Sequence, residues 1–137
     1  MSEFNDFNNN VVAEFRANGG VVGGPFAGAP MVLITHTGAK TGQRRTTPLV
    51  CTSDGDDVII IASMGGAPTH PAWYHNMIAN PVVTVERGTE SFEADVVETS
   101  GAERDRLFAA QAALMHQFDD YQAKTTRTIP VLRLVRR

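Results

Sequence analysis

The feature that most constrains the fold is a series of short β-prone runs separated by connections too short for crossover helices. The runs are residues 31–35, 46–52, 58–63, 82–87, 90–98 and 129–137. They are rich in β-branched residues or alternate apolar with polar residues, as strands do. A doubly wound parallel sheet needs a helix between successive strands, and the helical segments of this chain are not spaced that way. We therefore predict an α+β, mainly β protein in which about six mostly antiparallel strands curl into a barrel, because closure removes exposed edges.

Three details of the strands and their connections are predicted from residue types. The run "VIIIAS" (58–63) is apolar throughout, which predicts a central strand buried on both faces. Pro48 cannot donate a ladder hydrogen bond, so it belongs near the start of its strand or on a sheet edge. The dipeptide "GT" between 82–87 and 90–98 predicts a hairpin turn.

Three segments show helical signals. In residues 3–17, an apolar stripe predicts an amphipathic helix that covers one end of the core or contacts a membrane surface or a partner. The stripe consists of Phe4, Phe7, Val11, Val12 and Phe15. Residues 72–80 predict a short helix that ends before Pro81, and residues 102–116 a longer one capped by Ser100 with Glu103 as its capping-box partner. Residues 117–128 are polar and are predicted to be irregular.

Length and charge restrict the classes of function. A chain of 137 residues is the usual size of one domain, so we expect a single domain over residues 1–137. The net charge of −3 argues against general nucleic-acid binding. Cys51 is the single cysteine and lies in an apolar run, so we expect a buried structural thiol and a cytoplasmic setting. The polar N-terminus does not resemble a signal peptide, and no apolar run reaches the ~18 residues of a membrane span.

Positive charge is concentrated in one connection, "THTGAKTGQRR" (35–45), which we call the basic hairpin. Lys40, Arg44 and Arg45 supply charge, and Gly38 and Gly42 would let backbone N–H groups turn toward an anion. The stretch is neither a Walker A loop nor a G-x-G-x-x-G fingerprint. Residue types alone leave two alternatives open, a solvated hairpin and an anion-binding loop.

Two further segments contain candidate site residues. In "ASMGGAPTHPAWYHN" (62–76), a buried strand ends in glycines ahead of a helix that begins near Trp73. This is typical of a site for a flat ligand, and also of a turn beside a core tryptophan, which residue types alone favour. In residues 116–130, the aromatic side chains either cover a ligand or pack on the core. The histidines do not have the spacing of a metal motif, so we expect no metal site.

Four stretches taken in order resemble the deazaflavin-dependent nitroreductase family of actinobacteria. They are "EFRANGGVVGG" (14–24), "TGAKTGQRRTTPL" (37–49), "IIIASMGGAPTHPAWYHNMIANP" (59–81) and "RTIPV" (127–131). The resemblance implies a split β-barrel of the FMN-binding type and hydride transfer from reduced coenzyme F420. F420 carries a phosphodiester and a polyglutamate tail, for which a basic loop on an acidic protein is a focused counter-charge.

The resemblance also implies roles for individual residues. Ser63 and Tyr121 face the substrate and are candidates for donating a proton, and His116 and Phe118 join Tyr121 around the substrate. Met64 replaces a lysine of the family prototype, and His116 and Phe118 replace tyrosines, which makes the cover over the substrate more apolar. The implied cofactor-binding residues are Ala39, Lys40, Thr41, Arg45, Thr46, Thr47, Pro48, Leu49, Val50, Ile61, Ala62, Ser63, Met64, Ala72, Trp73, Tyr74, His75, Asn76 and Phe118.

The predicted function is F420-dependent reduction of a small quinone, enone or nitroaromatic acceptor. The alternatives are a split-barrel reductase that uses FMN and a non-catalytic F420 carrier. We expect a monomer or homodimer, with peripheral membrane contact through the N-terminal helix as an open possibility.

Overall fold

The computed structural model describes the backbone of residues 3–137 and the side chains from Phe7 onward, except that of residue 25. Four helices and seven strands make up its regular structure. In chain order they are α1 (Glu3–Ala17), β1 (Met31–Thr37), β2 (Arg44–Val50), β3 (Thr52–Asp54), β4 (Asp57–Ile61), α2 (Ala72–Ala79), β5 (Val82–Arg87), β6 (Glu90–Glu98), α3 (Gly101–Leu114), α4 (Gln117–Ala123) and β7 (Val131–Arg136). Short 3-10 turns occupy Gly24–Phe26 and Met64–Gly66.

The seven strands form one antiparallel sheet that curls on itself. Its strand order is β2-β1-β5-β6-β7-β4-β3, so the two edge strands are neighbours in sequence. Cys51 alone separates them, and its N–H donates to the Pro30 carbonyl at 3.0 Å. One chain segment thus provides both edges of the sheet, which confirms the predicted α+β split-barrel class. Pro48 lies on edge strand β2, and the "GT" turn joins β5 to β6, both as predicted.

The core has a cluster on each side of β4. Val58 and Ile60 face the barrel interior with Val32 and Met77, whereas Ile59 and Ile61 face α3 and α4. These four residues of β4 are all buried, which confirms that this strand is covered on both faces.

The apolar face of α1 covers one end of the core. Val11 and Phe15 are buried against Leu33 of β1, which confirms the core-covering prediction for this helix. Phe4, also predicted for this face, lies outside the described side chains. Within the described chain, no helix combines the length and apolar content needed to span a bilayer.

Three local predictions are wrong. Residues 117–123 form helix α4 rather than an irregular segment, because Phe118 can pack into the second core cluster while Asp119 and Asp120 face outward. Ser100 precedes α3 without a side-chain capping bond, and Glu103 instead accepts a hydrogen bond from Arg133 at 3.1 Å. The predicted strand 46–52 is two strands, since the chain leaves β1 at Val50 and joins β4 at Thr52.

Candidate active site

The basic hairpin is more regular than its sequence predicts. β1 and β2 continue into it until Thr37 pairs with Arg44, so the connection spans only residues 38–43. The Gly38 N–H donates to the Gln43 carbonyl at 2.8 Å, and the Gly42 N–H to the Gly38 carbonyl at 3.0 Å. Both glycine amides thus close the loop and are not themselves available to an anion. The hairpin offers side-chain cations instead.

Those cations lack carboxylate partners within the described part of the chain. Lys40 and Arg45 are exposed, and Arg44 donates to the hydroxyls of Thr37 and Thr84, both at 3.0 Å. The contrast with other arginines is clear, because most of them lie within 4.0 Å of a carboxylate oxygen. The paired residues are Arg16, Arg87, Arg104, Arg106, Arg133, Arg136 and Arg137. Positive charge is thus left uncompensated at the hairpin, as an anion site requires.

A buried histidine ties the hairpin to α2. His36 is 2% exposed, with Nε2 2.9 Å from the Thr47 hydroxyl and Nδ1 3.2 Å from Asn76 Nδ2. The Asn76 Oδ1 accepts the Ala39 N–H at 2.9 Å, so its amide nitrogen must donate to His36 Nδ1. The imidazole proton therefore resides on Nε2. Burial, reinforced by Arg45 and Arg44, lowers the pKa of His36 to about 4, which keeps the ring neutral as this arrangement requires.

The chain after β4 makes an unusual turn, Ser63–Ala67, which we call the left-handed turn. Met64, Gly65 and Gly66 have φ values of 47°, 64° and 84°. A methionine rarely adopts such a conformation, and strain of this kind is concentrated at functional sites. A Cβ at Gly66 would lie 2.7 Å from the Tyr121 carbonyl oxygen, so only glycine allows α4 to approach this closely.

One guanidinium holds this turn in place. Arg127 donates to the carbonyls of Ser63 at 2.7 Å, Ala67 at 2.8 Å and Ala62 at 3.3 Å. It also donates to His70 Nδ1 at 2.9 Å, which links the turn to the segment that leads into α2. Neither Arg127 nor His36 is among the site residues that the resemblance implies. The position of Arg127 in "RTIPV" is the one sequence signal that could have suggested it.

The remaining predicted site residues occupy several environments. Trp73 and Leu49 are half-buried on the first core cluster, and Val50 and Tyr121 pack on the second. Phe118 is buried in that second cluster, with its ring 5.3 Å from that of Tyr121. Ala72, His75 and His116 are exposed.

Tyr74 turns its hydroxyl to Glu98. The O–H donates to Glu98 Oε2 at 2.8 Å, and burial together with this bond raises the pKa of Tyr74 to about 12. The phenol is therefore protonated and occupied at neutral pH.

Hydrogen bonds and packing contacts connect the predicted site regions one after another. The hairpin bonds to α2 through Asn76, His70 ahead of α2 bonds to Arg127, and Arg127 bonds to the left-handed turn that α4 covers. Two cavities adjoin the barrel, one of them beside the basic hairpin, and neither is lined by Ser63, Trp73 or Tyr121. One of about 360 Å³ is lined by Thr37, Arg44, Asn80, Pro81 and Val82, and one of about 550 Å³ by Asp56, Asp57, Arg87, Val135, Arg136 and Arg137. The contacts and the uncompensated charges mark the candidate site.

Solved structures give the class of this fold. A structure described as an F420-H2 dependent reductase, FDR-A, superposes with a TM-score of 0.71 at 38% identity, covering 77% of this chain and 93% of that one. A second, described as a domain-swapped dimer, superposes with a TM-score of 0.74 at 32% identity, covering 97% and 99% of the two chains. The class is that of split-barrel reductases.

Sequence relatives give the family. Residues 8–135 match the model of the family described as F420H(2)-dependent quinone reductase. A Mycobacterium tuberculosis protein named F420H(2)-dependent quinone reductase is 41% identical over 129 residues, which is 91% of this chain and 87% of that protein. The chain belongs to the F420H(2)-dependent quinone reductase family, which confirms the deazaflavin-dependent resemblance of its motifs.

Proposed function

We propose that the protein transfers a hydride from reduced coenzyme F420 to a quinone. The observation that carries this proposal is the uncompensated charge of the basic hairpin in a family described by its dependence on F420H2. Lys40 and Arg45 are exposed cations on a chain of net charge −3. They fit the phosphodiester and polyglutamate of the F420 tail, since charge-assisted hydrogen bonds are the strongest that such a tail can form.

The other end of the site suits a flat ring. Bound F420H2 supplies the hydride, and the protein must hold the ring and keep an acceptor beside it. The left-handed turn brings backbone without bulky side chains at Gly65 and Gly66 to the end of β4. Trp73 offers an apolar face nearby in sequence, at the start of α2.

Reduction of a quinone to a hydroquinone balances with one hydride and one proton. Tyr121 and Ser63 are the proposed proton donors, because Gly66 of the turn that begins at Ser63 lies against the Tyr121 backbone. General acids of this type contribute roughly 10²-fold or more to a rate. We expect Tyr121→Phe to lower kcat for menadione about tenfold or more, with F420 affinity and Tm unchanged. Full turnover by this variant would exclude Tyr121 as an essential donor and leave Ser63→Ala as the next test.

A titration separates the proposed function from its alternatives. The purified protein is titrated with F420 and with FMN, followed by cofactor fluorescence, and menadione is then added to the reduced complex. We expect tighter binding of F420 than of FMN and oxidation of the reduced cofactor by menadione. Preference for FMN would contradict the proposal, and tight F420 binding without oxidation by quinone, enone or nitro acceptors would indicate a carrier.

Two further proposals concern the oligomeric state of the protein and its contact with membranes. The domain-swapped relative supports a homodimer, which static light scattering of the purified protein can test as a doubled mass. Peripheral membrane contact and a cytoplasmic location stay predictions. Because the apolar face of α1 already packs on the core through Val11 and Phe15, Phe7 is the one large apolar side chain described on this helix that is exposed, and we expect little flotation with lipid vesicles.

A further inference from the structure

The left-handed turn needs an external support. Hydrogen bonds inside it run from the Gly66 N–H to the Ser63 carbonyl at 2.9 Å and from the Ala67 N–H to the Met64 carbonyl at 3.2 Å. The Met64 side chain is 55% exposed, so it contributes little packing to offset its positive φ. Strained backbone persists only where its surroundings over-determine it.

Arg127 supplies that support from outside the turn. Its guanidinium contacts four acceptors, which are three backbone carbonyls on both sides of Met64 and one ring nitrogen of His70. A guanidinium has five N–H donors in a planar fork, whereas a lysine has three donors on one atom. Lysine at this position could satisfy only part of the set.

The backbone of Arg127 is itself held in place by a hydrogen bond from α4. Gln122 of α4 donates from Nε2 to the Arg127 carbonyl at 2.8 Å. The Gln122 Oε1 accepts the Ile129 N–H at 3.1 Å and Arg104 Nη2 at 2.8 Å. The support therefore extends from α3 through α4 and the Arg127 backbone to the turn.

The charge environment of Arg127 supports the same role. Within the described part of the chain, Arg127 has no carboxylate partner, and only backbone carbonyls and a ring nitrogen of His70 offset its charge. A partly buried cation without an anion is costly, and desolvation lowers the pKa of Arg127. An arginine needed only for stability could have a carboxylate partner, as Arg133 has in Asp57 at 2.8 Å.

We propose that Arg127 is a positioning residue that holds the left-handed turn in the shape on which the F420 ring rests. This role rests on the proposed function, because it makes the turn part of the cofactor site. Arg127 acts through the backbone of Ser63–Ala67 and not by contact with the quinone.

The test compares Arg127→Gln and Arg127→Lys with Arg106→Gln as a matched control. Arg106 is an exposed arginine of α3 that pairs with Asp54 at 3.1 Å, away from the turn. Amide hydrogen exchange of a peptide covering residues 62–68 is measured without cofactor, and the Kd for F420 is measured by fluorescence. We expect Arg127→Gln to speed exchange in this peptide about tenfold or more and to raise the Kd about tenfold, with Arg127→Lys between it and wild type. KM for F420H2 should rise, while KM for menadione and the properties of Arg106→Gln should not change.

Each outcome decides a different question. Unchanged exchange at residues 62–68 in Arg127→Gln, or faster exchange with unchanged F420 affinity, would overturn the role of Arg127. If Arg127→Gln does not fold, the same two measurements on Arg127→Lys decide the matter, and no change in either would overturn the proposal. Failure of wild-type protein to bind F420 would instead refute the proposed function, and the exchange result would still show whether Arg127 shapes the turn.

Discussion

The basic hairpin and the left-handed turn both depend on cations, yet they use them in opposite ways. At the hairpin, Lys40 and Arg45 are exposed and have no carboxylate partner in the described part of the chain. At the turn, all four described bonds of the Arg127 guanidinium go to backbone carbonyls and a histidine. Cations at the hairpin are thus available to a ligand, and the one at the turn is committed to shape.

The two regions also differ in what holds them. The hairpin is a regular extension of β1 and β2, fixed to α2 by the bond between Ala39 and Asn76. The turn is irregular, strained at Met64, and depends on residues more than sixty positions away. Loss of one contact should therefore lower only ligand affinity at the hairpin, whereas at the turn it should lower both local stability and F420 affinity.

The largest effect is expected from Gly66→Ala. A Cβ there would lie 2.7 Å from the Tyr121 carbonyl oxygen and 3.0 Å from its Cα, so α4 must move. The positive φ of 84° adds strain. We expect a loss of about 3 kcal/mol in the free energy of unfolding, measured by urea denaturation.

Gly55→Ala is the matched control for that variant. Gly55 also has a positive φ, 62°, but nothing lies within 4 Å of the position that a Cβ would take there. It should lose only about 1 kcal/mol, the cost of the backbone conformation. Equal losses in the two variants would mean that the contact between α4 and the turn is not tight.

The second-largest effect is expected in the pH dependence of stability, through His36, which ties the hairpin to α2. The pKa of His36 is lowered from 6.5 to about 4, chiefly by burial, so the unfolded chain takes up a proton between these pH values and the folded chain does not. Stability must therefore fall as the pH drops from 6.5 to 4. We expect His36→Phe to show a shallower fall, by about 2 kcal/mol over this range.

Denaturation of both proteins at a series of pH values measures this difference. The pKa of His70 is also lowered, by burial first and then by Arg127, and it acts in the same direction. Because His70 is present in both proteins, its contribution cancels. Parallel pH profiles would show that His36 is not held neutral in the folded protein.

The sequence predicts the cations of the hairpin better than the support of the turn, for a physical reason. The hairpin cations are neighbours in sequence, and their strands follow from local residue types, so one short stretch contains the signal. Arg127 and His36 act through bonds that form only after the chain has folded, and each is one ordinary residue when seen alone. Helix α4 escapes prediction for the same reason, since its stability depends on burying Phe118 in a distant cluster.

The smallest effect is expected from single changes at the hairpin. Lys40→Ala and Arg45→Ala each remove one exposed cation that makes no described bond, so Tm should not change. We expect each to weaken F420 binding about three- to tenfold at low salt, and less at high salt because screening weakens the contact. Arg137→Gln removes a surface charge paired with Asp95 at 3.4 Å and should leave the affinity at the wild-type value.

The most direct test of the account compares the affinity for F420 with that for the deazaflavin nucleoside that lacks the phosphodiester and glutamates. Both are titrated by fluorescence into wild-type protein and into the Lys40→Ala/Arg45→Ala double variant. We expect wild type to bind F420 roughly 100-fold more tightly than the nucleoside, and the double variant to lose most of that difference without losing nucleoside affinity. Equal affinities of wild type for the two ligands would contradict the central claim that the basic hairpin binds the anionic tail.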